Sequence, residues 1–492
     1  MKVHLMFRDR DFDAETQGVP ARAALAEDLE LKAILSAMAG NDKTVEKSAG
    51  AALFQTLTDA DAIAYRQAAV RDALSHPAEI RALCALAAET LEKKKGMWHW
   101  LSVRRDIDGT YSDAVALLKE YLVMLRRLRK LADTAAGYRS EAFLEFWDML
   151  KRDLSDGYLD GATALVAELS AGGMLISARL GSDLSGADYA LRRKNRKYFR
   201  FRWAAAPRYS LAPRDDAGAS ELQRRRQCAV NESANALAQA AAHIEAFFGA
   251  LMCEAAFFVG CLNLSDRLAE LGMQICFPAI EETRRRTARG LYDAALPLVS
   301  GKQAVGSDLS TAGAALFVVT GANQGGKSTF LRAVGQAQMM FQSGMFVAAE
   351  QYASHVCRGV FTHFKREEDR TMASGKLDEE LARMDEIADR LERGALILFN
   401  ESFAATNERE GAEICRQIAL ALAESGVEVF FVTHLFAFAD AMRRSGRGDI
   451  AFYRAERRAD GARTFRIVPG APEPTAFGGD LYEQVFGKAA GL

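Results

Sequence analysis

Proline is scarce: nine in 492 residues, with none between 78 and 206 and none between 298 and 468. A proline inside a helix removes a backbone donor and clashes with the preceding turn, so the first gap permits long helices. Cysteine pairing signals are missing too. The seven cysteines (84, 228, 253, 261, 276, 357 and 415) are odd in number and show no Cys-x-x-Cys spacing. This argues against a disulfide framework or a zinc site and for a reduced, cytoplasmic setting. Neither charge sign dominates: 63 Lys+Arg against 65 Asp+Glu give −2, so an anionic partner needs a local basic patch. A bilayer span needs about 20 apolar residues. The most apolar stretch, Ala246 to Leu262, has 17 with Glu254 in its middle. It reads as a buried core helix, with no membrane partner. Met1 to Arg10 turns charged too early for a signal peptide. At 49% hydrophobic and 26% charged, the composition excludes disorder and collagen-like repeats.

Helical periodicity fills the first proline gap. Ser112 is placed as an N-cap ahead of apolar Leu118, Tyr121, Leu122, Leu125 and Leu128. A second helical block, from about Glu221 to Gly272, puts Leu237, Ile244, Phe248, Leu251 and Phe258 on one apolar stripe. Between the blocks, Leu175–Leu180, a turn-rich Gly181–Gly186 and Tyr189–Arg193 predict an inserted hairpin. Lys197–Trp203 then alternates with period two: Arg200 and Arg202 share one face, Phe199, Phe201 and Trp203 the other. From residue 300 the short apolar runs Ala315–Val319, Ala395–Phe399 and Val427–Val432 alternate with helical patterns, as in a mostly parallel sheet covered by helices. Asp449–Arg454 and Arg463–Val468 flank Asp460-Gly461 and predict a terminal hairpin. The expected fold class is multidomain, α followed by α/β.

Gly321-Ala322-Asn323-Gln324-Gly325-Gly326-Lys327-Ser328-Thr329 fits G-x-x-x-x-G-K-[ST] between an apolar strand and a helical pattern. Such glycines let the backbone curl so that N–H groups converge on phosphate oxygens, and the following helix adds its positive end. The expected ATP-binding residues are Gly321, Asn323, Gly325, Gly326, Lys327, Ser328 and Thr329. Lys327 neutralises the β- and γ-phosphates and Ser328 ligates Mg2+. The next strand leads into Asn400-Glu401, with an amide where a magnesium-directing Asp is expected. Its oxygen can accept from a metal-bound water but brings no charge. Glu401 is the candidate to orient or deprotonate the attacking water. A third strand ends in Thr433-His434, suited to sensing the γ-phosphate.

These motifs resemble those of the MutS family. Gly321–Thr329 is similar to the family's Walker A loop, Gly-Pro-Asn-Met-Gly-Gly-Lys-Ser-Thr, differing at Ala322 and Gln324. The likeness continues through Phe330-Leu331-Arg332, Gly344, Phe361-Thr362, Asn400-Glu401, Thr433-His434 and Pro474–Gly478. Ala373-Ser374-Gly375 stands at the place of the family's signature loop. The resemblance spans about residues 310–485. More faintly, Ile63–Leu74 and residues 219–275 resemble the family's helical core and returning lever helices. It implies an ABC-type ATPase that dimerises, here expected as a homodimer, in which Ser374 and Gly375 complete the other subunit's nucleotide site and Ala404–Asn407 line the interface. It also implies a segmentation: 1–50 an N-terminal segment, 51–171 a helical core, 172–218 a β-rich clamp-like insertion, 219–299 lever helices and connector, and 300–492 the P-loop ATPase domain. Phe143-Leu144-Glu145 has the letters of the family's mismatch wedge but sits in a helical pattern, and about 50 residues precede the core. A reduced form without the N-terminal mismatch-recognition domain is expected. After Gly375 the chain reads Lys376-Leu377-Asp378-Glu379-Glu380 in place of the family's Ser/Thr-containing run. With Asn400, this implies ATP binding with slow hydrolysis.

Residues 190–226 hold twelve Lys/Arg and three acids, a local +9 in a chain of −2. Such segregation suits a phosphate-binding surface, and the resemblance puts the DNA-clamping region at this tip. Arg192, Arg193, Lys194, Arg196 and Lys197 are the expected backbone contacts, with Arg200 and Arg202 beside them. Arg284-Arg285-Arg286 reads as a solvated helix end. The expected function is a DNA-binding ATPase of repair or recombination, in which ATP controls a clamp on duplex or branched DNA. The alternative is a nucleotide-gated structural module that binds ATP with negligible turnover and docks a protein. An SMC-like ATPase fits less well, because the coils are short and lack sustained heptads.

Overall fold

The computed structural model describes residues 1–15, 22–101, 107–170, 174–179, 188–192, 216–311, 313–366, 375–458 and 462–473. Helices come first: α1 (Arg22–Asp28), α2 (Leu31–Ala39), α3 (Lys43–Phe54), α4 (Ala60–Ser75), α5 (Pro77–Leu101), α6 (Ile107–Thr134), α7 (Glu141–Asp153) and α8 (Asp156–Ser170). An antiparallel hairpin of β1 (Met174–Arg179) and β2 (Asp188–Arg192) follows, then the 55-residue α9 (Asp216–Glu270). The remainder alternates: β3 (Ala279–Ile280), β4 (Arg286–Leu291), α10 (Ala295–Ser300), β5 (Ser307–Ser310), β6 (Leu316–Thr320), α11 (Lys327–Gln342), β7 (Gln351–Ser354), β8 (Val360–Phe364), α12 (Lys376–Ala388), β9 (Leu396–Asn400), α13 (Glu408–Glu424), β10 (Glu428–Val432), α14 (Phe436–Arg444), β11 (Ile450–Arg457) and β12 (Arg463–Pro469). The chain is thus mixed helical and α/β. Its contacts divide it into two compact units, Met1–Asp13 with Ser75–Ala256, and Ala14–Leu74 with Phe257–Leu492.

Among the described residues, the first unit is helical apart from its hairpin and the irregular Met1–Asp13. On α6 the residues Leu118, Tyr121, Leu122, Leu125 and Leu128 are all buried, the one-sided stripe that 3.6-residue spacing produces. The helix begins at Ile107, so Ser112 lies inside it and caps nothing. Gly109 is the weakest helix former ahead of it, and a single glycine, costing about 1 kcal/mol, does not stop a helix with a buried face. Leu237, Ile244, Phe248 and Leu251 of α9 are buried as well. Over Asn231–Glu270 that helix is long and apolar enough to cross a membrane, but 72% of its most apolar window is buried inside the molecule. Glu254 within it is buried and accepts the backbone N–H groups of Leu5 at 2.6 Å, Met6 at 3.1 Å and Phe12 at 2.7 Å. That carboxylate pins residues 1–13 to this unit.

In the second unit, residues 14–74 are strapped to α11. Gln336 donates to the Leu29 carbonyl at 2.9 Å, Arg332 to Glu30 at 2.7 Å, and Gln342 to the Leu57 carbonyl at 2.8 Å. The helices near the N-terminus therefore fold with the sheets that come some 250 residues later, a pairing no local pattern announces. The larger sheet has the order β12-β11-β6-β10-β9-β8, parallel except for the terminal β11–β12 hairpin. Its central strands are buried on both faces, which is why they appear in the sequence as unbroken apolar runs. A four-stranded mixed sheet, β3-β7-β4-β5, packs beside it. Arg286 corrects the reading of residues 284–286 as a solvated helix end. It opens β4, is fully buried, and donates to Gln338 at 2.6 Å, Tyr352 at 2.8 Å and Glu428 at 2.7 Å. A buried guanidinium needs such a matched anion.

Candidate site at the strand ends

Strands β6, β10 and β9 lie side by side in register, Val319 opposite Val432 and Val432 opposite Asn400. Their C-terminal ends release three loops at one edge: 321–326, 401–407, and Thr433-His434. The chain then passes from β10 to β11 on the other side of β6. The order reverses there, and open parallel sheets bind ligands at such reversals.

Gly321 (φ +119°), Gln324 (+58°) and Gly326 (+94°) turn the first loop left-handed. At Gly326 a Cβ would stand 2.9 Å from the Phe465 carbonyl oxygen of β12, so both the dihedral and the space demand glycine. Lys327 is buried, with Nζ donating to the loop's own carbonyls, Gly321 at 2.8 Å and Ala322 at 3.0 Å. Burial lowers its pKa, and the Glu401 carboxylate works against that shift. Ser328 Oγ donates to Asn400 Oδ1 at 3.0 Å. Glu401 follows with φ +53°, its N–H donated to the Val432 carbonyl at 2.9 Å. His434 Nδ1 stands 3.9 Å from Glu401 Oε2, with each side chain about one-third exposed. Asn323 is exposed and Thr329 half-buried.

The structure thus draws together Gly321, Asn323, Gly325, Gly326, Lys327, Ser328, Thr329, Asn400, Glu401 and His434. Gly375 lies elsewhere, exposed at the N-terminal boundary of α12, and Ser374 falls outside the described residues. Of the basic residues, Arg192 ends β2, whereas Arg193, Lys194, Arg196, Lys197, Arg200 and Arg202 fall outside the described residues.

Residues that motif reading passed over also rim the loop. Arg463 donates to Gln324 Oε1 at 3.0 Å. Phe465, at φ +61° and half exposed, has its carbonyl against Gly326. They lie about 140 residues downstream, and period-two alternation along β12 carries no sign of the positive φ that turns Phe465 outward.

Known proteins match the chain in two blocks. The family described as MutS2 N-terminal domain matches residues 58–271, and the family described as MutS domain V matches residues 317–466. The human protein "MutS protein homolog 4" is 30% identical over 124 residues, 25% of this chain and 13% of its own length. "Endonuclease MutS2" of Lacticaseibacillus casei is 34% identical over 149 residues, 29% of this chain and 19% of its own. That of Thermus thermophilus is 32% identical over 120 residues, 24% and 16%. The matched stretch is less than a fifth of each relative. With both domain families present in order along it, the chain belongs to the MutS family.

Proposed function

We propose that the second unit binds ATP with Mg2+ at the ends of β6, β9 and β10 and hydrolyses it slowly, as a DNA-linked ATPase of repair or recombination. One observation carries this reading: the 321–328 loop, Asn400-Glu401 and His434 converge at the ends of adjacent in-register strands. The names of the relatives, MutS homologue and MutS2 endonuclease, support the assignment to DNA metabolism. Ser328 Oγ and Asn400 Oδ1 are oxygen donors 3.0 Å apart. Mg2+ takes hard oxygen ligands and keeps several of its waters, so Ser328 would hold the ion directly and Asn400 would accept from one of its bound waters. When bound, the ion neutralises phosphate charge.

The remaining work falls to this chain's side chains. Lys327 leaves the carbonyls of Gly321 and Ala322 for the β- and γ-phosphates, whose charge outweighs those dipoles. Glu401 orients the attacking water and takes its proton, and His434 reads the γ-phosphate beside it. Phe465 offers its exposed ring to the nucleobase. Ser374 and Gly375 complete the site of a second subunit, and the basic stretch 190–226 holds DNA through phosphates without a base code. Helix α9 belongs to both units and is the element through which the nucleotide state reaches the clamp-like hairpin.

A second reading, ATP binding with negligible turnover, is favoured by a single feature: the Ser328 hydroxyl is satisfied by an uncharged amide where a carboxylate would bring charge. ATP turnover of wild type and E401Q, each with and without duplex and branched DNA, separates the two. Loss of about 100-fold or more in kcat for E401Q, at retained ATP affinity, is expected for a general base. Equal turnover in both proteins contradicts the assignment.

A further inference from the structure

Glu401 and Phe403 both take the left-handed backbone region, at φ +53° and +58°. Residues with a Cβ rarely adopt it, so two within three positions require outside support. That support comes from α12 and β8. The Phe403 N–H donates to Glu380 Oε2 at 2.6 Å, with Glu380 reaching in, buried, from α12. The backbone carbonyl of Glu380 faces His363 Nε2 at 3.0 Å, and His363 Nδ1 faces Ser402 Oγ at 2.7 Å. The ring of Phe403 is fully buried and stacks on that imidazole with centroids 4.9 Å apart. Burial, with Arg383 beside it, holds His363 down to about 4. The imidazole is held in its neutral form, with its two nitrogens facing the Glu380 carbonyl and the Ser402 hydroxyl. On the other side, a Cβ at Gly411 would stand 2.6 Å from the Phe403 carbonyl oxygen, so α13 closes tightly against the same loop.

Glu401 lies two residues before the anchored amide. Without that anchor the loop would be free to relax toward right-handed dihedrals and turn the Glu401 carboxylate. We propose that Glu380 is a positioning residue for Glu401, tying α12, whose N-terminal boundary is Gly375, to the carboxylate assigned as base. This inference rests on that assignment of Glu401. In the sequence, Asp378-Glu379-Glu380 has the look of a solvated acidic run. The structure separates its members: Asp378 is exposed, Glu379 half-buried and Glu380 buried against the loop.

The test uses the full chain and four proteins: wild type, E380A, E380Q and E401Q, with ATP turnover and equilibrium ATP binding measured separately. E380A is expected to lose about 10- to 100-fold in kcat, the scale of a misplaced catalytic group, with KM and ATP affinity changed by less than about twofold. E380Q keeps an oxygen that accepts the Phe403 N–H and recovers to within about fivefold of wild type. Should E380A not fold, E380D takes its place, with a carboxylate one methylene short of the amide and the same kcat-only loss. Three results overturn the proposal: unchanged kcat in the truncated variant, E380Q falling as far as E380A, or ATP affinity lost in step with turnover. Wild-type turnover in E401Q instead overturns the reading of Glu401 itself, so the two failures are distinguishable.

Discussion

On the proposed function, Asn400 would set how tightly an ion beside Ser328 is held. Its Oδ1 accepts the Ser328 hydroxyl at 3.0 Å and supplies a dipole where an aspartate would supply a full charge. N400D is therefore expected to lower the Mg2+ concentration for half-maximal ATP binding by about tenfold, or about 1.4 kcal/mol. An unchanged Mg2+ titration contradicts this placement. Glu254 makes a different prediction. Burial, reinforced by Asp11, pushes its carboxyl from an ordinary 4.5 up to about 7 against the pull of three backbone donors. Between those values the folded chain holds a proton that the unfolded chain has released. Stability contributed by this group therefore falls as pH rises through that window, by on the order of 3 kcal/mol. Thermal unfolding of the first unit should shift downward from pH 5 to pH 8, and E254Q should flatten that slope. A slope identical in both proteins contradicts the assignment. His355, Cys357 and Glu428 bring three metal-compatible atoms within 4.8 Å of one another. Arg286 already matches the carboxylate, 2.7 Å from Glu428, and burial pushes the Cys357 thiol up to about 12. A guanidinium is the cation of that cluster.

At the scale of elements, what could be read from the sequence was what burial writes into it. Strands β6, β9 and β10 are apolar runs because both their faces are covered. The terminal hairpin showed through its turn residues, and α6 and α9 through their stripes. The four-stranded sheet did not. Ser307–Ser310 alternates buried and exposed with only Leu309 apolar, and Ala279–Ile280 is two residues long, so those strands are too short and too polar to show as a hydrophobic period. The same limit hid the rim of the candidate site, since the contact of β12 with the 321–326 loop is a tertiary meeting of distant segments. It yields a prediction for the hairpin. F465A should raise KM for ATP by about tenfold, the value of one lost base-stacking surface, and leave kcat within about twofold. A selective fall in kcat would place Phe465 nearer to the chemistry than to the base.

For the whole molecule, charge segregation is the property that composition hides. A chain of −2 carries +9 within residues 190–226, so the DNA association proposed for it should be steeply salt-dependent and nearly indifferent to sequence. Neutralising Arg192, Arg193 and Lys194 together should reduce the slope of log affinity against log salt by about 2 to 3. A slope unmoved by the three changes contradicts a DNA surface there. The sequence singled out the 321–328 loop, Asn400-Glu401 and His434 by residue type and spacing, and the structure brings them to the ends of adjacent strands. The membership of residues 14–74 in the second unit was not legible, because hydrogen bonds from α11 to the Leu29 and Leu57 carbonyls leave no local trace. The proposed function stands or falls on whether the 321–328 loop grips a triphosphate. Equilibrium binding of labelled ATP at millimolar Mg2+, on wild type and K327A, tests it directly. Saturable, stoichiometric binding to wild type is expected, weakened by about 100-fold or more in K327A. ATP that fails to bind wild type, or binds both proteins alike, contradicts it.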